Sequence, residues 1–292
     1  MKMSAPMSPE EFVSVLRQEG VRVAEYPGWK TNGRDSATGK PFGPVHMVLN
    51  HHTAGRDSLR VVASSGLPNL PAPLAHIHLA KDGTATMCSA RRANHAGLMA
   101  RNAYTSFLNE STTHPSPASS TGTIDGNDVA YGIEVENLGD NKDPYTSAQY
   151  EALVRINAAI TRHYGWSAQS CAGHLETSIE GKIDPRGPVQ DYAGRGSFQI
   201  SMNRLRKDIQ ERLSHAPNWN PKGDNMALTD ADISKVAAAT VDKLLAGGGV
   251  LEGSDIDRIA ARIGSLTIAL TDAQVHTLGS SIADVLAARL AS

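Results

Sequence analysis

Runs and periodicities of apolar residues divide the chain into strands and helices. The apolar run at residues 45–50 predicts a buried strand that ends at His51, because continuous apolar runs are typical of strands covered on both faces. Alternating apolar and polar residues at 129–136 predict a second strand. Segments 75–80 and 84–88 are separated by Lys-Asp-Gly, which predicts a hairpin with an Asp-Gly turn.

Helical patterns lie between and after these strands. Residues 8–20 begin with an N-cap serine, a proline and two acids, which is a typical helix start. Apolar residues recur on one side of a helix at 146–164, and 197–214 predict a closing helix. A short helix is expected at 56–63, whereas 109–128, rich in Ser, Thr, Pro and Gly, predict a loop. The expected fold is α/β, with a central mixed β-sheet flanked by helices.

The composition changes after a turn-rich segment near the last quarter of the chain. We predict one domain over 1–216, a linker over 217–227 and a small all-α module over 228–292. Residues 226–292 contain no Pro and no aromatic residue, and their five basic and eight acidic groups give a net charge of −3. Helix starts of the capping-box type recur there, which indicates a small helical bundle.

Composition and charge argue against several classes of protein. The 292 residues are 40% hydrophobic, enough to bury a sizeable core, and the net charge of −2 indicates no nucleic-acid partner. The absence of an apolar run of 18 residues predicts no membrane span. The first residues lack the apolar region of a signal peptide, so we expect synthesis in the cytoplasm. Two cysteines are too few for a disulfide framework.

Candidate catalytic groups are concentrated in one short segment. His174, Lys182 and Asp184 lie at relative positions 0, 8 and 10, and the pair His51-His52 follows the first apolar strand. Two imidazoles and one carboxylate can hold a zinc ion with one coordination position left open. A lysine two residues from a ligand could place a positive charge beside that position. The pattern therefore predicts metal-assisted hydrolysis.

Five motifs occur in order between about residues 45 and 190. They are Asn50-His51-His52-Thr53-Ala54, Ala75-His76-Ile77-His78-Leu79-Ala80-Lys81-Asp82-Gly83, Asn94-His95-Ala96-Gly97, Tyr131-Gly132-Ile133-Glu134-Val135-Glu136, and Gly173-His174 through Lys182-Ile183-Asp184-Pro185. This series resembles the zinc-dependent N-acetylmuramoyl-L-alanine amidases, a superfamily that includes the peptidoglycan recognition proteins. The last motif resembles the AmpD-type version, in which Asp replaces the Cys of other members.

The resemblance implies a zinc cofactor and a set of metal ligands. The matching ligands are His51, His174 and Asp184. His52 remains an alternative to His51, which is preferred because the ligand of the family directly follows the apolar strand. The chain is thus expected to hold Zn²⁺ through two imidazoles and one carboxylate.

The resemblance also implies catalytic and substrate-binding residues. Glu134 would be the general base, and Lys182 would stabilise the oxyanion of the tetrahedral intermediate. Glu136 remains an alternative base, because residues two apart in a strand point to the same face. His95 and Thr53 would line the groove and bind the substrate. Some phage members have a catalytic Tyr where this chain has Ala75, so catalysis is expected to depend on Glu134.

We therefore predict zinc-dependent hydrolysis of the amide between N-acetylmuramic acid and L-alanine in peptidoglycan. One alternative is a peptidoglycan-binding module without catalysis, and another is a zinc peptidase that acts on stem peptides. Asp184, Glu134 and Lys182 are all present, which disfavours a module that only binds. No separate motif supports the peptidase.

The expected setting is phage lysis. The enzyme would be made in the host cytoplasm and would reach the cell wall after release by a holin. The module at 228–292 is expected either to target the wall or to form a homo-oligomer, and its lack of aromatic residues favours the oligomer. The codons for residues 222–225 could contain a ribosome-binding site just before the codon of Met226. Free C-terminal subunits that start at Met226 are therefore a candidate partner. An ordinary linker methionine is the favoured interpretation.

Overall fold

A six-stranded mixed sheet forms the centre of the computed structural model, which describes residues 3–221. The strand order is β1-β4-β3-β7-β2-β8, and every neighbouring pair is parallel except the β3–β4 hairpin. These six strands are β1 (Val23–Glu25), β2 (Met47–His52), β3 (Ile77–Leu79), β4 (Ala85–Met87), β7 (Ala130–Val135) and β8 (Cys171–Gly173). The predicted mixed sheet and the Asp-Gly hairpin are confirmed.

Two small ribbons and five helices complete the described part of the chain. The ribbons pair β5 (Leu98–Ala100) with β6 (Thr123–Asp125) and β9 (Pro188–Val189) with β10 (Phe198–Gln199). The helices are α1 (Pro9–Gln18), α2 (Asp35–Thr38), α3 (Arg101–Leu108), α4 (Ser147–Tyr164) and α5 (Met202–Leu213). None of the helices within residues 3–221 has the length and apolar character that crossing a membrane requires.

Helix boundaries follow from local chemistry. The Ser8 hydroxyl accepts from the Glu11 backbone N–H at 3.2 Å, and the Glu11 carboxylate accepts from the Ser8 N–H at 3.3 Å, which closes a capping box before α1. Helix α4 begins after its N-cap Thr146 and ends at Gly165, whose φ of 69° is the left-handed conformation that glycine adopts without strain.

The central strands are buried on both faces, and each face packs against different helices. One face carries Val48, Ile133 and Val135, which pack in a large core with apolar residues of α1, α4 and α5. The opposite face carries Met47 and Leu49, which pack against side chains of α3 and its neighbours. All six residues of β2 are buried, as the continuous apolar run predicted.

A short helical segment is present where one was expected at 56–63, but its bounds are shifted: residues 59–60 are α-helical and lead into a π-helical turn at Val61–Ser65. One local prediction was wrong. The segment predicted as a loop at 109–128 contains β6, because its residues pair with β5 after the chain returns from α3. Cys88 and Cys171 are both buried and free. The predicted module at 228–292 and the candidate start at Met226 lie outside the described residues.

Candidate metal centre and active site

The candidate site lies at the carboxyl edge of the parallel strands. His51, near the end of β2, stands opposite Glu134 of β7, which in turn stands opposite His78 of β3. Side chains at paired positions of neighbouring strands point to the same face of the sheet. His174 directly follows β8 on the other side of β2. The topology therefore brings together residues that are more than a hundred positions apart in the chain.

Three potential ligand atoms converge at this edge. His51 Nδ1 lies 3.1 Å from His174 Nδ1 and 3.0 Å from Asp184 Oδ2, and His174 Nδ1 lies 3.2 Å from the same oxygen. Zinc bonds of about 2.0 Å at tetrahedral angles place ligand atoms about 3.3 Å apart. All three residues are buried, so the size and chemistry of the triangle fit one zinc ion.

The protonation states of the residues in the triangle also favour the binding of a cation. Burial lowers the pKa of His51 to about 4, and the neighbouring Asp184 only partly offsets that effect. Burial alone would raise the pKa of Asp184, but the close contacts with His174 and His51 outweigh it and hold the pKa well below the usual range. Near neutral pH the site thus presents a neutral imidazole and an ionised carboxylate, the forms that bind metals.

Glu134 is the acidic group beside the triangle. Its Oε2 atom is shielded from solvent and has no hydrogen-bond partner among residues 3–221. Burial and the charge of Asp184 raise the pKa of Glu134 well above its ordinary value, while Lys182 opposes the shift. A half-buried carboxyl with one shielded, unpaired oxygen and a raised pKa is the arrangement expected of a general acid or base.

Glu136, the alternative base, lies against a different group. Its Oε2 atom is 3.7 Å from His78 Nε2, and His78 Nε2 also lies 2.9 Å from the Ser58 hydroxyl. Glu134, not Glu136, stands opposite His51 in the strand register. The geometry therefore favours Glu134 for proton transfer at the triangle.

Lys182 lies in the loop that leads to Asp184. Its side chain is 45% exposed, and Nζ lies 3.4 Å from Glu180 Oε2. The influence of Lys182 on the pKa of Glu134 shows that its charge acts on the site. Its contact with an oxyanion stays a prediction.

His52 and Thr53 face other partners. The His52 ring packs on Gly139, where an added Cβ would lie 2.3 Å from Nε2, and His52 Nδ1 accepts from the Arg186 N–H at 3.3 Å. The Thr53 hydroxyl donates to the Gly55 carbonyl at 2.8 Å. The structure thus brings His51, and not His52, to the triangle. Substrate binding by Thr53 stays a prediction.

His95, which the sequence predicted as a groove residue that touches substrate, lies beside the triangle. Its ring is buried. Its Nδ1 lies 3.1 Å from His51 Nε2, and its Nε2 lies 3.1 Å from the Ala130 carbonyl oxygen. Both ring nitrogens are therefore engaged inside the protein, and His95 lies next to a candidate ligand. Substrate binding by His95 stays a prediction.

An ion pair that the sequence did not reveal supports the turn containing His174. The Arg206 guanidinium of α5 donates to both carboxylate oxygens of Glu176 at 2.9 Å and to the Cys171 carbonyl at 3.1 Å. Glu176 also accepts from the Gly173 N–H at 3.0 Å. Arg206 is only 4% exposed. A charged residue on the buried side of α5 was the available signal, because buried arginines are normally paired.

The fold, the site and the sequence together identify the family of this chain. Fold and site define an α/β domain with a three-ligand candidate metal centre at the carboxyl edge of its sheet. Residues 41–187, about half of the chain, match the sequence profile of the N-acetylmuramoyl-L-alanine amidase family. The chain belongs to this family, and the predicted resemblance is confirmed.

Similar sequences cover a shorter part of the chain. It is 40% identical over 67 residues to the 1,6-anhydro-N-acetylmuramyl-L-alanine amidase AmpD of Enterobacter cloacae, and the match covers 23% of this chain and 34% of that protein. The corresponding protein of Escherichia coli is 37% identical over 67 residues, covering 23% and 35%. The matches thus span about a third of the length of these relatives.

Similar solved structures include two amidases. The Escherichia coli amidase AmiD, solved in a complex with anhydro-N-acetylmuramic acid-L-Ala-D-gamma-Glu-L-Lys, is 18% identical with a TM-score of 0.37, covering 57% of this chain and 58% of its own. The endolysin LysCS of Clostridium intestinale is 16% identical with a TM-score of 0.35, covering 54% and 83%.

Proposed function

We propose that this protein hydrolyses the amide bond between N-acetylmuramic acid and L-alanine in peptidoglycan, and that the reaction depends on zinc. The observation that carries the proposal is the convergence of His51 Nδ1, His174 Nδ1 and Asp184 Oδ2 within 3.2 Å of one another. This triangle lies in a member of the N-acetylmuramoyl-L-alanine amidase family.

The three residues would hold the ion from one side. A bound zinc ion would acidify a water molecule and polarise the scissile carbonyl. His51, His174 and Asp184 supply three protein ligands, which is the number typical of catalytic zinc sites with one position open to substrate.

Glu134 would move the proton that amide hydrolysis requires. Its buried oxygen has no partner among the described residues, and its pKa is raised by burial and by Asp184. The carboxylate would take a proton from the attacking water and return it to the departing amine of L-alanine. Because the amine leaves as a neutral group, the two transfers balance.

Lys182 would stabilise the negative charge that develops on the carbonyl oxygen. The side chain is 45% exposed and belongs to the loop that leads to Asp184. Its ammonium group would lose solvent only when substrate covers it, and its attraction to the oxyanion would then strengthen.

End-group analysis of purified cell walls tests the proposed reaction. We expect the full-length protein to release amino groups of L-alanine without new reducing sugars, and we expect a chelator to stop the release and added zinc to restore it. Asp184→Asn should be inactive, whereas Asp82→Asn, which alters an exposed hairpin turn, should be active. Release of D-alanine would indicate a stem-peptide peptidase, and binding without release would indicate a module that only binds.

The biological setting is a separate part of the proposal. We propose a lysis enzyme, made in the host cytoplasm, that reaches the wall after holin-mediated release. An expressing culture should therefore lyse when its inner membrane is permeabilised, and a culture expressing Asp184→Asn should survive the same treatment.

Mass spectrometry of the purified protein, compared with Met226→Ile, would detect free C-terminal subunits in a homo-oligomer.

A further inference from the structure

The two histidines of the triangle need a particular tautomer to bind a cation. Both present Nδ1 to the centre. A neutral imidazole carries one proton, and a cation can bind Nδ1 only when that proton is on Nε2. The groups that contact the two Nε2 atoms therefore determine whether the ligand atoms are free.

The His174 tautomer follows from a backbone carbonyl. His174 Nε2 lies 3.2 Å from the Ala96 carbonyl oxygen. A carbonyl oxygen only accepts hydrogen bonds, so this contact requires the proton on His174 Nε2. The lone pair of His174 Nδ1 is then directed at the centre of the triangle.

The His51 tautomer follows from a chain of two hydrogen bonds. His95 Nε2 lies 3.1 Å from the Ala130 carbonyl oxygen, so a neutral His95 carries its proton there. His95 Nδ1 is then an acceptor, and it lies 3.1 Å from His51 Nε2. The His51 proton is thereby held on Nε2, and Nδ1 is free.

The neighbouring sequence fixes the His95 ring in place. The Asn127 side-chain oxygen accepts from the backbone N–H groups of His95 and Ala96, each at 2.8 Å. A Cβ added at Gly132 would lie 2.5 Å from His95 Nδ1, so the ring can rest on β7 only because this residue is glycine. The glycine of the Gly-Ile-Glu motif and the histidine of the His-Ala-Gly motif thus serve one arrangement.

We propose that His95 and the Ala96 carbonyl form a tautomer lock that holds both metal-facing imidazoles with Nδ1 free. His95 is accordingly a positioning residue that acts through His51. This inference rests on the proposed function, because it concerns the same metal site. Hydrogen bonds of this kind orient metal-binding histidines, and their loss commonly lowers metal affinity by about 10- to 100-fold.

Four full-length variants test the lock through zinc affinity, measured in competition with a chromogenic chelator. His95→Leu should lower the affinity about 10- to 100-fold. In His95→Asn the amide oxygen can replace Nδ1 as the acceptor for His51, so affinity should stay near wild type. His95→Gln retains only the donor to Ala130 and should behave like His95→Leu. His76→Leu removes a buried imidazole whose ring centre lies 5.4 Å from that of His95, and it should bind zinc normally.

Equal affinities of His95→Asn and His95→Gln, or wild-type affinity in His95→Leu, would overturn the proposal. If His95→Leu does not fold, the Asn–Gln comparison still decides. Zinc affinity is measured without amidase activity, so an inactive protein that shows the predicted difference between His95→Asn and His95→Gln would refute the proposed function and leave this inference standing.

Discussion

The two faces of the central sheet have different chemistry. One face is mainly apolar, with Val48, Ile133 and Val135 fully buried against helices, although Asn50 and His52 of β2 also point to it. The other face begins with Met47 and Leu49 and then changes, at the carboxyl edge, to His51 opposite Glu134. The same strands therefore carry a hydrophobic core on one face and a cluster of ionisable groups on the other. Stability and chemistry should be separable by substitutions on opposite faces.

Substitution of Glu134 should cause the largest loss of activity among changes on the ionisable face. Glu134→Gln preserves shape but removes the proton acceptor, so the rate of wall hydrolysis should fall by about 10²- to 10⁴-fold while zinc affinity is retained. Steady-state digestion of soluble muramyl-peptides and chelator competition would measure the two quantities. Glu136→Gln, next to His78, is the matched control and should keep most of the activity. A larger loss in the control would assign proton transfer to Glu136.

Ile133 tests the apolar face of the same strand. Ile133→Ala removes a fully buried side chain between Gly132 and Glu134, and the free energy of unfolding should fall by about 2–5 kcal/mol. Denaturant unfolding would measure this loss. Zinc affinity of the folded variant should remain that of the wild type. A large loss of zinc affinity without a loss of stability would show that the faces are not independent.

The pH dependence of stability sharpens the comparison. Burial lowers the pKa of His76 to about 3. As the pH falls below about 6.5, His76 is therefore protonated in the unfolded chain but stays neutral in the folded protein. His76 should thus reduce the free energy of unfolding by about 2 kcal/mol between about pH 6.5 and 5. Denaturant unfolding of the metal-free protein would show a shallower pH dependence for His76→Asn. Parallel curves for the two proteins would contradict this assignment.

Much of the fold was accessible from sequence because the strands have simple patterns. The apolar run before His51 predicts a strand buried on both faces, and the structure contains one at Met47–His52. The N-cap pattern before Pro9 predicts the first helix within two residues of its observed ends. The weak pairing of β6 was missed, because its three residues lie among turn formers and are ordered by a distant strand.

The ligand triangle was predicted, but the residues around it were not. The order of the motifs predicted His51, His174 and Asp184 as one ligand set, and the strand order brings the three residues together in space. The position of His95 depends on the Gly132 surface beneath its ring and on the Asn127 side chain. No periodicity encodes such contacts between separate segments. A sequence can therefore identify ligands by type and spacing while their hydrogen-bond partners require the fold.

Direct observation of the metal tests the central claim, which is that the ionisable face holds one zinc ion through His51, His174 and Asp184. Crystals of the full-length protein grown with zinc, with anomalous data collected at the zinc absorption edge, would locate the ion. We predict a single strong peak about 2.0–2.1 Å from His51 Nδ1 and His174 Nδ1 and about 2.0–2.2 Å from an Asp184 carboxylate oxygen. No peak inside this triangle, or coordination through Nε2 of either histidine, would contradict the account.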